Sequence, residues 1–314
     1  MDSNIEKTVI KIGTLVVLLL VLSFVLVYFN IVSCGSYSSL GCDIYYSAVA
    51  GGKPNVLIVT GEEGSGNPEL LYEILRGPKF RARSRLKQLS LVSLPLLREN
   101  QLVIVEKARV MSKNDIKMFM EYVNLGGKLV WVGDAGTLLP KEEADLNYYL
   151  TYSNRGQSSE GYIGPWARKE AGKQVSFDEF LGVNYKGNHC EFSTCVVGEK
   201  TGNIEPTDSD HKFTYGLSNS IPFSGDFGVV KINKSSNARL VAILDYGSSL
   251  VAEPNEVPWL VSGKYSFGNE LPFIVSNLVG ERVVYYATPL ESFLEQEQKY
   301  KAIVEQMYYG MLYN

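Results

Sequence analysis

The stretch from Ile12 to Ser33 constrains this chain more than any other. It is 22 consecutive residues without a charge, dominated by Leu, Val and Ile. At about 1.5 Å rise per residue a helix of this length reaches about 33 Å, enough for a hydrocarbon core of about 30 Å. Leu15 to Leu22 are apolar all round, so the helix has no polar face to turn to water while packing on a soluble core. The run predicts one transmembrane helix over 12–33. Lys7 and Lys11 precede it, and no Lys or Arg follows until Lys53. That asymmetry predicts a cytoplasmic tail over 1–11 and a domain outside the cell membrane, extracellular or periplasmic.

Two rivals also place the domain outside. A cleaved signal peptide has an apolar core of about 7–15 residues, shorter than this run. The segment Ile31-Val32-Ser33-Cys34 resembles a lipobox, which would put a lipid on Cys34. The four cysteines fall into two local pairs, Cys34 with Cys42 and Cys190 with Cys195. An oxidising compartment makes two disulfides the expected pairing, with free thiols as the alternative. Neither pair has C-x-x-C spacing, and His189 alone does not make a zinc site, so no metal and no cofactor is expected.

Charge excludes one class of partner. The formal net charge of −4 belongs wholly to the outer part, because Asp2 and Glu6 cancel Lys7 and Lys11. No global basic field invites nucleic acid. With 45% hydrophobic residues and 20 tyrosines, the chain can bury a substantial core.

After a stalk over 34–53, strand and helix patterns alternate. Asn55 to Thr60 and Leu102 to Val105 are short apolar runs that read as strands buried on both faces. Pro68 to Leu75 reads as a helix capped by Asn67, and Ser112 caps a second, with Ile116, Phe119, Met120 and Val123 at helical spacing. Gly126-Gly127 stops that helix, and Lys128 to Val132 follows as a strand. Arg282 to Ala287 reads as another strand. Glu291 to Leu312 reads as a closing helix, with Ile303, Val304, Met307, Tyr308 and Met311 on one face. The middle carries strand patterns at Val229 to Ile232 and Leu240 to Leu244. The alternation predicts an α/β domain over 54–314: a flavodoxin-like parallel sheet with helices on both faces and β-rich insertions.

The succession NVLIVTGE, LVIVEKARVMSKNDIKMFMEYVNLGGKLVWVGDAG, SFDEFLGV, DHKFTYGL and RVVYYATPLESF resembles the class I glutamine amidotransferase-like superfold, especially its ThuA-like and related branches. Those branches carry a D-H-P-x-x-x-G-L segment. Asp210, His211, Gly216 and Leu217 match it, and Lys212 stands where Pro is usual. True amidotransferases place a nucleophile elbow after the strand corresponding to Lys128–Val132. Here that position reads Gly133-Asp134-Ala135-Gly136-Thr137, with neither Cys nor Ser, and the chain holds only His189 and His211. The resemblance therefore implies the fold without the acyl-transfer chemistry. Relatives lacking the nucleophile serve as interaction modules in membrane-associated assemblies.

Other candidate sites are ordinary in part. Glu62 and Glu63 lie in the loop after the first strand, and Asp134 sits at a strand's C-terminal end, where open α/β sheets place their sites. Asp134 with Glu62 or Glu63 would hold a metal, and with His211 would serve a hydrolase or carbohydrate-active enzyme. A capping Asp, a plain loop and a packed His211 are the bland readings. Lys79, Arg81, Arg83, Arg85 and Lys87 fall at every second residue, so one strand would project all five from one face. On a sheet edge such charges discourage aggregation. They also form a docking row for an acidic protein partner, an anionic glycan or lipid head groups. Asn233-Lys234-Ser235 is a glycosylation sequon. These features lead to the expectation of a membrane-anchored, non-catalytic binding or scaffold subunit in contact with the lipid bilayer, with a tethered small-ligand sensor as a further alternative.

Overall fold

A computed structural model of the 314-residue chain describes residues 3–28, 52–77, 80, 82–141, 165–170, 173–196, 198–214, 220–253, 263–277, 281–296 and 300–313. The chain divides into two compact units, Met1–Lys53 with Tyr313–Asn314, and Pro54–Leu312.

In the first unit, helix α1 runs Ser3–Tyr28. Its apolar side chains from Ile10 to Leu22 are exposed, Leu18 by 60%. Residues 29–33 of the expected span lie outside the described residues. Among the described residues no helix is long and apolar enough to cross a membrane.

The second unit is built on a nine-stranded mixed sheet. Strands β1 (Asn55–Thr60), β2 (Arg83–Gln88), β3 (Leu102–Glu106), β4 (Lys128–Val132) and β13 (Val283–Tyr286) stand in the order β2-β1-β3-β4-β13 and are mutually parallel. This run of parallel strands is the part of the sheet expected from the sequence. From β13 outward the sheet turns antiparallel through β12 (Tyr265–Asn277), β11 (Arg239–Ala252), β8 (Gly202–Pro206) and β9 (Ile221–Phe223). The expected parallel sheet with β-rich insertions is thus a mixed one, because strands from the middle of the chain join it antiparallel. β11 and β12 pair over long stretches as an antiparallel neighbouring pair, which needs no crossover helix. Among the described residues there are also two smaller pairs, β7 (Val183–Asn188) with β10 (Gly228–Ile232), and β5 (Ala167–Glu170) with β6 (Lys173–Ser176).

Burial follows position in the sheet. β3 is buried throughout, and β1 and β4 at every residue after the first, as continuous apolar runs in central parallel strands require. β2 alternates exposed and half-buried residues before a polar end, as an edge strand with one solvated face does. Helix α2 (Pro68–Leu75) is capped by Asn67, whose side chain accepts from Leu70 N at 3.2 Å. After the short helix α3 (Leu94–Arg98), helix α4 (Lys113–Asn124) opens with a reciprocal capping box between Ser112 and Asp115. It ends at Gly126-Gly127, where Gly126 has φ +101° and a side chain at 127 would collide with the Tyr122 ring. Helix α5 (Phe177–Leu181) closes on Gly182, and helix α6 (His189–Phe192) follows β7.

The single closing helix is corrected to two, α7 (Ser292–Gln296) and α8 (Lys301–Tyr313), with 297–299 outside the described residues. Val304, Met307, Tyr308 and Met311 are buried as anticipated.

Candidate functional site

The loops at the C-terminal ends of β1, β3, β4 and β13 meet at one end of the sheet. Asp134 lies in the turn after β4 and is buried. Its Oδ1 accepts from Ser65 N at 3.0 Å, and its Oδ2 lies 3.5 Å from Arg109 Nε. Arg109 reaches on to Glu191 Oε1 at 3.4 Å. Asp134 is therefore neither a helix cap nor an open ligand. It ties the β1 loop to the β4 turn, which closes with Gly136 N donating to Ala108 O at 2.8 Å.

Glu62 and Glu63 are exposed and border a cavity of about 260 Å³ with Gln88 and Ser90, which Asp134 does not line. His211 sits at the opposite end of the sheet. Its Nε2 donates to Glu281 Oε1 at 2.7 Å, and its Nδ1 accepts from Phe213 N at 3.3 Å. Glu281 precedes β13 on the N-terminal side, whereas Asp134 follows the parallel β4 on the C-terminal side. With four paired residues between these ends, the two groups are separated by about 13 Å or more of strand. The set of Asp134, Glu62 and His211 is not brought together. Burial alone would raise the Glu281 carboxyl, but the His211 hydrogen bond, with the His211 and Lys212 charges, outweighs it and holds it down to about 2.

Of the basic row, Arg83, Arg85 and Lys87 fall among the described residues. Phe80 N donates to Gly77 O at 3.2 Å in a turn, so the strand begins at Arg83. Arg83, Arg85 and Lys87 are exposed at alternate positions on the edge strand, and Arg85 pairs with Glu99 at 3.0 Å. Lys79 and Arg81 lie outside the described residues, as do Cys34, Cys42, Gly216 and Leu217. The sequon fails on geometry. Asn233 is buried, and its Nδ2, the atom a glycan would occupy, donates to Asp178 Oδ2 at 3.1 Å and Asn184 Oδ1 at 3.0 Å.

The large cavity, about 1030 Å³, opens on the same end of the sheet as Asp134, because Thr288 and Ser292 after β13 line it. Seven of its eighteen lining residues are Ser or Thr, and His189, Asp226 and Tyr246 also line it. Cys190 and Cys195 form a disulfide in that wall, with Cα atoms 5.3 Å apart, as their spacing led us to expect. His189 follows β7 at the start of α6 and stacks on Phe227 at 5.0 Å. Its Nδ1 lies 3.4 Å from Cys195 Sγ and its Nε2 3.2 Å from Tyr246 OH. Burial lowers its pKa, with Asp226 opposing. Asp226 Oδ1 accepts from Cys190 N at 3.0 Å and Phe227 N at 2.9 Å. Burial still pushes its carboxyl up.

A second pair of groups escaped sequence reasoning. Glu106 ends β3, and Glu291 precedes α7; both are fully buried. Glu291 Oε1 accepts from Asn67 N at 2.8 Å. Among the described residues no conventional hydrogen bond reaches either Glu106 oxygen, and the Glu291 carboxyl adjoins it. Burial first, then Glu291, raises the Glu106 carboxyl well above the usual range. The only hint in the sequence was an acid at the end of the apolar run LVIVE.

No known protein family matches this chain, and no curated protein does. Among solved structures it is similar to a putative ThuA-like protein of Bacteroides uniformis, at 15% identity and a TM-score of 0.49, over 82% of this chain and 92% of that one. It is similar to the β-galactosidase of Rahnella sp. R3 at 14% identity and a TM-score of 0.49, over 82% of this chain and 31% of the enzyme. A cytoplasmic protein of Salmonella typhimurium gives 13% identity and a TM-score of 0.43, over 82% and 97%. These are distant likenesses of chain arrangement.

Proposed function

We propose that this chain is a membrane-anchored binding subunit whose α/β domain has the amidotransferase-like arrangement without its chemistry. The observation that carries the reading is the turn after β4. Where that superfold presents a nucleophile, this chain has Asp134, buried and occupied by Ser65 N and Arg109. A catalytic elbow needs an exposed attacking atom beside hydrogen-bond donors, and this turn offers none. The uncharged run over 12–33 and the exposed apolar side chains of α1 support the anchor, and Lys7 and Lys11 support a cytoplasmic N-terminus. Arg83, Arg85 and Lys87 on the β2 edge are the docking row for an acidic protein partner.

Three measurements test this. Protease added to intact cells should remove the outer domain and leave residues 1–11 protected; protection of the whole chain refutes the topology. Reversing Arg83, Arg85 and Lys87 to Glu should weaken association with the copurifying partner, and added salt should weaken the parent in the same sense. A hydrolytic activity abolished by Asp134→Asn with the fold intact would replace the binding reading with an enzymatic one.

A further inference from the structure

The wall of the large cavity gathers four groups of the kinds that hold a transition metal. One ligand atom from each of His189, Cys190, Cys195 and Asp226 lies within 4.8 Å of the others. Tetrahedral coordination at about 2.0–2.3 Å places ligand atoms about 3.3–3.8 Å apart, so the widest pair need close by about 1 Å, and the two sulfurs, about 2 Å apart while bonded, must part by roughly 1.5–1.8 Å once reduced. We propose that Cys190, Cys195, His189 and Asp226 form a redox-gated site for a zinc-type divalent cation. It is blocked while the disulfide stands and assembled once a dithiol has reduced it.

The surroundings are those of an oriented ligand set. A ligating imidazole is held by a partner on its other nitrogen. His189 turns Nδ1 toward Cys195 Sγ at 3.4 Å, and its Nε2 is met by Tyr246 OH at 3.2 Å. The Phe227 ring, tilted only 15° from the imidazole, fixes its plane. Asp226 is anchored through Oδ1 by two backbone N–H groups, and its carboxylate has a second oxygen to offer. Two thiolates with an imidazole and a carboxylate favour zinc over magnesium or calcium. All four residues border the cavity, so a cation has an entry path.

The chemistry balances. A dithiol reduces the Cys190–Cys195 bond, becoming a disulfide while the protein gains two electrons and two protons as two thiols. Cation binding then releases both thiol protons to solvent and leaves two Sγ thiolates, the His189 lone pair and the Asp226 carboxylate as ligands. Sulfurs bonded to each other cannot both be thiolates, so disulfide and cation exclude one another. The site does not depend on the proposed docking row or on the membrane anchor.

The test uses the full chain in detergent with Cys34→Ser and Cys42→Ser, so that only Cys190 and Cys195 contribute sulfur. A phosphine serves as reductant because it leaves no competing thiol. Zn²⁺ is titrated against a chromophoric chelator, and Co²⁺ reports thiolate ligation through its charge-transfer bands. The expected result is one equivalent of Zn²⁺ after reduction and none before. His189→Ala and Asp226→Asn should each weaken binding at least about ten-fold, and Tyr246→Phe by roughly 10–100-fold. Zinc should also raise the melting temperature of the reduced chain and leave the oxidised chain unmoved. Equal zinc binding by the oxidised chain would overturn the proposal. So would a reduced chain, folded or unfolded, that zinc does not stabilise, or His189→Ala and Asp226→Asn variants that bind like their parent.

Discussion

Replacing Glu106 by Gln isolates the buried carboxyl pair at the end of β3. Glu106 is fully buried, and the charged or titratable groups around it are Glu291, Glu69, Lys107 and Tyr308. Burial and the two acids raise its pKa well above 4.5, with Lys107 opposing weakly. The sign follows from linkage. A carboxyl that binds its proton more tightly folded than unfolded contributes stability that is complete below the unfolded pKa. That contribution is lost as pH rises through the folded pKa. Between those limits the wild type loses about 1.4 kcal/mol per pH unit for the one proton. The Glu106→Gln side chain keeps the shape and cannot ionise, so the variant escapes the loss. For a domain of this size about 1.4 kcal/mol corresponds to roughly 3–5 °C in melting temperature. Thermal melts of the full chain in detergent should give a constant offset between Glu106→Gln and wild type at low pH. Above about pH 5 the offset should widen by that increment per unit in favour of the variant. An offset independent of pH from about 5 to 8 would show that Glu106 is not held protonated by its surroundings, and the argument from burial would fail.

At the other end of the sheet the sign reverses. Glu281 is held down to about 2, so its contact with His211 contributes stability above the unfolded carboxyl pKa that is lost as pH falls toward 2. Glu281→Gln should remove that part of the acid dependence in melts below about pH 5. Non-reducing peptide mapping should find Cys190 joined to Cys195. Replacing both by Ser should cost only about 2 kcal/mol, since the loop they close is short; a much larger drop in stability would show that the bond holds more than its loop. Gly310→Ala should destabilise by at least about 1–3 kcal/mol in denaturant melts, because its added carbon would lie against the Lys212 carbonyl. An unchanged midpoint would show that α8 packs less closely there.

Much of the architecture was legible in the chain because local rules set it. The runs NVLIVT, LVIVE and KLVWV became central strands, since a segment apolar on both faces is stable only between covered neighbours. Asn67 and Ser112 marked helix starts because their side chains satisfy N–H groups within three residues. The Cys190–Cys195 bond was readable for the same reason: both partners are close in sequence. Tertiary structure alone decided where distant groups meet. Asp134 and His211 look like partners in sequence, yet Asp134 follows β4 while His211 bonds Glu281 ahead of the parallel β13, at the opposite end of the sheet. Asn233 reads as a glycan acceptor, but packing against Asp178 and Asn184 takes its amide. Glu106 with Glu291, and His189 with Asp226 and Tyr246, are joined only by the fold. Periodicity and capping report on neighbours along the chain, whereas the charge state and partners of a buried side chain depend on which remote segments exclude water from it.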